Sequence, residues 1–218
     1  VDCPLGQTSA YQSESCHNCS LGRFASAVGR SMCSEAPVGT HVPEAGAVNS
    51  TPCAKGSFTA TVGNSECTAC NAGVFTDTLG TTECRRCPTG KFAESPGHTE
   101  CQACSIPGTS TSGLGSRSEA ECICKENSYR LGVNATGRCE DCPEEMSCPT
   151  GSTERSLMSM LAHGQPAQSD FGDVAEPYPT LIKGFWSSES EPFSIYKCWS
   201  ETKCPGGAPG TCAPNMDL

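Results

Sequence analysis

Cysteine and histidine are the residues of this chain whose types and spacing could do chemistry. Nineteen cysteines stand among 218 residues, with four histidines, His17, His41, His98 and His163. The pairs Cys16 with Cys19, Cys67 with Cys70, Cys84 with Cys87, Cys101 with Cys104 and Cys139 with Cys142 each have two residues between them. That spacing suits zinc knuckles or dithiol redox centres. Crosslinking is the competing chemistry, and a longer period separates the two. Cys19, Ala36, Cys53, Cys70, Cys87 and Cys104 follow one another at a constant 17 residues. Within a unit the second cysteine comes after 13 intervening residues, as in Cys19 and Cys33, Cys53 and Cys67, Cys70 and Cys84, and Cys87 and Cys101. A slightly shorter unit, Cys3 to Cys16, precedes them.

Connectivity cannot normally be deduced from cysteine count, but one unit is informative. Ala36 and Ser50 occupy both of its cysteine places. Loss of the two together orphans no thiol if each unit bonds its own first cysteine to its own second. Under the zinc reading it would leave Cys33 and Cys53 half-ligated. We therefore read disulfides, and no metal or cofactor is assigned. The histidines are scattered, no nucleophile motif occurs, and oxidised cysteines cannot attack, so no catalytic residue is assigned. No stretch alternates acids as a calcium loop requires.

The elements that would hold these cysteines are short. Glycine recurs three residues after the unit start, at Gly22, Gly39, Gly56, Gly73 and Gly90, and ten after it, at Gly29, Gly46, Gly63, Gly80 and Gly97, which predicts two turns per unit. An aromatic follows at Phe24, Phe58, Phe75 and Phe92, replaced by His41 in the cysteine-less unit, and stacking of these rings between neighbouring units is expected. Closing a loop of this size stabilises by about 3 kcal/mol in the chain-entropy account, so a few bridges can stand in for a core. The fold expected is small, disulfide-rich, mostly β and irregular: an elongated rod of tandem 17-residue repeats, each touching mainly its neighbours, with a C-terminal cysteine-rich module. The unit without a bridge is expected to deform most easily.

The tandem repeats occupy 3–104. From Cys104 the register slips, and 104–150 reads as a divergent, EGF-like cap. Sequential pairing would join Cys104 to Cys122, Cys124 to Cys139 and Cys142 to Cys148, with an EGF-like crossing among the last members as the alternative. Within 151–180, Ser152 to His163 reads as a short helix capped by Ser152 and stopped by Gly164, with Leu157, Met160 and Leu161 on its apolar side. Residues 165–180, rich in proline and acids, read as a linker. In 181–218, residues 181–186 and 193–199 are expected to pair as a hairpin, with Trp186 and Trp199 as the core of a terminal module containing Cys198, Cys204 and Cys212. The odd cysteine is assigned to Cys212, unpaired or bonded to another chain.

Composition sets the compartment and excludes several classes. Only 36% of residues are hydrophobic and 6% aromatic, too few for a large core, and such cysteine density persists in oxidising compartments. Asn18, Asn49 and Asn134 each begin an N-glycosylation signal, and two of the three are expected to carry sugar because Pro52 follows the second. A net charge of −10 with no basic stripe argues against nucleic acid. No apolar run reaches the roughly 20 residues that cross a bilayer. A start at Val1 reads as a processed product or fragment.

The run Cys87-Pro88-Thr89-Gly90-Lys91-Phe92 through Glu100-Cys101-Gln102-Ala103-Cys104 resembles the ephrin-receptor-like cysteine-rich repeats of eukaryotic surface proteins, and is similar to the simplest tumour-necrosis-factor-receptor modules. The likeness covers about residues 3–124. Gly184-Phe185-Trp186, Tyr196-Lys197-Cys198 and Cys204-Pro205-Gly206-Gly207 resemble the segment that follows such repeats in large surface proteins of unicellular eukaryotes. The resemblance implies extracellular scaffolding, adhesion or ligand display and brings no catalytic residue. The function expected is a structural or interaction protein that packs with other chains, copies of itself included, in a surface assembly or fibre. The alternative is a receptor ectodomain or adhesion module for a protein or glycan ligand.

Overall fold

A two-residue strand contributes too few ladder bonds to hold itself together, so each short strand of this chain depends on what closes its loop. The computed structural model describes residues 2–9, 15–132, 137–168 and 175–211. Among these, twenty strands of two or three residues form ten two-stranded antiparallel sheets, with one α-helix and one short 3-10 turn. Chain contacts divide it into two units, Val1–Ala103 with Gly113–Ser118, and Cys104–Ser112 with Glu119–Leu218.

In the first unit every repeat is one hairpin. Arg23 faces Glu35 and Phe24 faces Ser34, and the same offsets recur at Thr40 with Pro52, Ser57 with Ala69, Lys91 with Ala103 and their companions. The bridges close these hairpins: Cys3 to Cys16, Cys19 to Cys33, Cys53 to Cys67, Cys70 to Cys84 and Cys87 to Cys101. The two members of Cys67-x-x-Cys70 therefore belong to different bridges, as do those of Cys84-x-x-Cys87, and neither pair is a dithiol.

The core is a column of small side chains. First-position residues Cys3, Cys19, Ala36, Cys53, Cys70 and Cys87 are buried, with Ala25, Val42, Thr59, Thr76 and Ala93 six residues after their unit starts. Ala36 keeps its place without sulfur because the backbone does the joining. Its N–H donates to the Gly22 carbonyl (2.8 Å) and its carbonyl accepts from Gly63 N–H (2.8 Å), the pattern that Cys53 repeats with Gly39 and Gly80.

Contacts reach further than the neighbour-only expectation. Gly22 N–H donates to Val42 in the next repeat, while a Cβ on Gly22 would lie 2.0 Å from the carbonyl oxygen of Gly63, two repeats on. Gly6, Gly39, Gly56 and Gly73 stand in the same relation to Gly46, Gly80, Gly97 and Gly115. The glycines thus allow backbone to touch backbone as well as turning the chain. The expected ring stacking is also corrected. Among the described residues the ring pairs are Tyr129 with Phe193 and Trp186 with Tyr196, none within the repeats. Phe75 instead packs on Cys87, Ala93 and Cys101 of the following repeat, with the Arg85 guanidinium 5.0 Å above its ring.

The second unit continues the hairpin plan. Cys104–Cys122, Cys124–Cys139 and Cys142–Cys148 bond in sequence, so the EGF-like crossing does not occur, and Cys198 bonds Cys204. Asn127 takes the place of the first glycine after Cys124, with φ 63°, the left-handed conformation that asparagine tolerates best after glycine. The hairpin expected of 181–186 with 193–199, within the module at 181–218, forms at Phe185–Trp186 with Tyr196–Lys197, and it is a further repeat without a bridge. Leu181 is buried at the first position, Gly184 follows three later, and Phe185 with Lys197 and Trp186 with Tyr196 reproduce the register of Arg23 with Glu35. Cys198 N–H donates to the Gly184 carbonyl (2.9 Å) just as Cys19 N–H donates to Gly6.

The helix spans Glu154–His163, and its cap is Thr153, not Ser152: Thr153 Oγ1 accepts from Ser156 N–H (3.0 Å). Ser152 is buried and donates to the Pro149 carbonyl (2.7 Å). Gly164 ends the helix at φ 70° as expected of a left-handed stop. The expected linker is no linker in its described parts. Ser156 Oγ donates to the Glu176 carbonyl (2.6 Å) and Thr153 N–H to Pro177 (3.1 Å), tying that strap to the helix. Met146–Ser147 pairs with Thr180–Leu181, so helix and strap together are an insertion in one hairpin.

Candidate interaction surface

Side chains immediately before the glycines are placed outward by the repeat. A residue preceding a glycine whose backbone touches another backbone cannot turn inward, because the space beneath it is already filled. Leu21 and Val62, preceding the touching pair Gly22 and Gly63, are each 55% exposed. Val38 and Leu79, preceding Gly39 and Gly80, are likewise exposed, as are Leu5 before Gly6 and Leu114 before Gly115. Lys55, before Gly56, interrupts the series. Apolar side chains spend hydration free energy in such places, and a series of them is what marks an interaction surface. Where the series ends, Asn71, Ala72, Val74, Arg86, Leu114, Gly115 and Arg117 line a hollow of about 370 Å³. The sequence reading missed this series, although its signal, an apolar residue before glycine at Leu5, Leu21, Val38, Val62, Leu79 and Leu114, is visible without coordinates.

Charge on this unit is local and exposed. Arg23 meets Glu35 at 2.6 Å and Arg85 meets Asp77 at 2.5 Å, both in solvent. The Thr78 hydroxyl and the Arg85 guanidinium hold the Asp77 carboxyl below its ordinary range.

Of the sugar signals, Asn18 and Asn49 are exposed, and Asn134 lies outside the described residues. Cys212, the expected odd thiol, also lies outside them. Trp199 corrects the expectation of a tryptophan core: it is 104% exposed, since it is the first residue inside the short Cys198–Cys204 loop, too small a ring of chain to enclose an indole. Trp186 is half-buried, and its Nε1 is shut from solvent without a hydrogen-bond partner among the described residues. His17 is exposed beside Ser15, whereas His41 reaches Cys67. His41, Cys53 and Cys67 are the one trio among the described residues with metal-ligand atoms within 4.8 Å of one another, and both sulfurs are taken up in a disulfide.

The profile of the family described as "Tyrosine-protein kinase ephrin type A/B receptor-like" matches residues 6–53, 50–83 and 79–122, together more than half of the chain. The chain belongs to this family. No curated protein matches it. The ephrin-receptor-like matches fall on the repeated hairpins and stop at Cys122, before the helix and the degenerate repeat at 181–197. Ephrin-receptor-like repeats are non-catalytic extracellular interaction modules that bind protein partners, and with nine disulfides they point to a secreted or cell-surface protein. Among the described residues no helix is long and apolar enough to cross a membrane.

Proposed function

We propose that this ephrin-receptor-like chain is an extracellular structural protein that packs side by side with other chains, copies of itself included, in a surface assembly or fibre. The observation that carries the reading is the series of exposed apolar residues before the touching glycines, Leu21 and Val62, Val38 and Leu79. Its period is that of the repeat, so a second copy shifted by whole units meets it again at each step, whereas a partner without the repeat meets it once. Sugar at Asn18 and Asn49, both exposed, would leave the buried column untouched and restrict which faces can pack.

The test is the mass of the secreted, disulfide-intact protein by light scattering with electron microscopy. The native protein is expected above monomer mass at micromolar concentration. The triple variant Leu21→Ser, Val62→Ser, Leu79→Ser is expected at monomer mass with its disulfides intact. A native protein that stays monomeric and binds a soluble protein at nanomolar affinity would overturn the structural reading in favour of the receptor ectodomain.

A further inference from the structure

The side chain five residues after a unit start covers the disulfide of the next repeat, and its chemistry differs from repeat to repeat. Phe75 lays an apolar ring on Cys87 and Cys101. Thr8 places a neutral hydroxyl 3.4 Å from Cys33 Sγ. His41 alone among the described covering residues brings an imidazole: its Nδ1 lies 3.2 Å from Cys67 Sγ and 3.1 Å from the Thr51 carbonyl. A carbonyl only accepts, so Nδ1 carries the proton, and that N–H is aimed between the carbonyl and the sulfur.

From this we infer that Cys53–Cys67 is a thiol-exchange site, the staple of the repeat array that a dithiol opens first. The step is a two-electron exchange. The dithiol reductant forms its own internal disulfide, the Cys53–Cys67 bond breaks, one proton goes to Cys53, the other is released to solvent, and the His41 Nδ1–H donates to the Cys67 sulfur. Cys67 is thereby held as a thiolate by a charge-assisted hydrogen bond, which stabilises the reduced form. Under a phenylalanine the same thiolate is desolvated with no donor, and the reduced form gains nothing.

The position of this staple gives its opening a consequence. The repeat before it has Ala36 and Ser50 in place of cysteines, and the flanking bridges are Cys19–Cys33 and Cys70–Cys84. Opening Cys53–Cys67 therefore leaves the whole stretch 34–69 without a crosslink, two adjacent repeats held by noncovalent contacts alone. Opening Cys19–Cys33, on the other side of the unstapled repeat, likewise frees two repeats, 17–52, whereas reduction of Cys3–Cys16, Cys70–Cys84 or Cys87–Cys101 frees one.

Graded mixtures of reduced and oxidised dithiothreitol, quenched with an alkylating agent and read by peptide mass mapping, test this on the intact protein. Cys53 and Cys67 are expected to be half-reduced at a reductant ratio at least about tenfold lower than Cys70–Cys84 and Cys87–Cys101, the size of one hydrogen bond to a charged group. His41→Phe is expected to move Cys53–Cys67 into the range of those two. Thr8→His is expected to bring Cys19–Cys33 toward the easily reduced one. Ala36→Cys with Ser50→Cys, restoring a bridge in the preceding repeat, is expected to leave the easy reduction of Cys53–Cys67 in place. The inference is overturned if the native midpoint matches its neighbours, if His41→Phe leaves it unmoved, or if the restored bridge abolishes the difference, which would assign it to the slackness of the unstapled repeat.

Discussion

Replacing Gly22 with alanine puts a methyl group 2.0 Å from the Gly63 carbonyl oxygen and 2.8 Å from its carbon, both backbone atoms that cannot rotate away. Relief requires the two strands of contact to part by more than an ångström, which stretches the bonds from Gly22 N–H to Val42 (2.9 Å) and from Gly63 N–H to Ala36 (2.8 Å). Each such bond is worth about 1 kcal/mol net, and holding alanine at a left-handed φ costs about 1–2 kcal/mol more. The expected loss is about 3–4 kcal/mol. Gly97 provides the control, because its φ of 83° is as left-handed as the 78° of Gly22 while nothing lies within 4 Å of its added Cβ. Gly97→Ala should cost only the dihedral part. Amide hydrogen exchange read by mass spectrometry reports the local opening constant around Val42 and Gly63 in one variant and around Cys70 in the other. A difference of about 2 kcal/mol is a roughly thirtyfold difference in opening. Equal effects of the two substitutions would refute the claim that backbone contact between alternate repeats, and not the turn alone, requires glycine.

Removing one complete bridge as Cys70→Ser with Cys84→Ser should lower stability by about 3 kcal/mol, seen as a lower urea midpoint, because the loop it closes is of ordinary length. Trp199→Ala should shift the thermal midpoint of the second unit hardly at all, within about 0.5 kcal/mol, since the indole lies wholly in solvent. Leu157→Ala, in the buried face of the helix, should cost about 2–5 kcal/mol by the same measurement. Burial, with smaller contributions from the Glu154 and Glu140 carboxylates, raises the Tyr129 hydroxyl above its ordinary range. The proton is thus held more tightly in the folded state, so this contribution is intact below about pH 10 and is lost as pH rises through the folded value. Tyr129→Phe should flatten that alkaline loss in a denaturation series.

Much of the fold is legible in residue spacing. The 17-residue period of cysteine and glycine, and the joint absence of cysteine at Ala36 and Ser50, lead from sequence to the six hairpins of residues 3–104, five bridged and one without a bridge, without any coordinates. Spacing succeeds here because a disulfide closes a loop of defined length, which leaves a mark in one dimension. The hairpin at 181–197 is legible in sequence but its kinship with the repeats is not, because its first residue is Leu181 and not cysteine, while its register is carried by backbone bonds that any residue can make.

The sequence by itself determined the sulfur pairing within each repeat of 3–104, the short hairpins that those bridges close, and which family the chain belongs to, because these follow from residue type and local spacing. Only the tertiary structure decided that Gly22 meets Gly63 two repeats away, that Thr153 and not Ser152 caps the helix, and that Trp199 stands in solvent. It also set His41 against Cys67, 26 residues further along the chain. Such meetings depend on how far each hairpin rises and rotates onto the next, a property of backbone packing in three dimensions that no interval along the chain encodes.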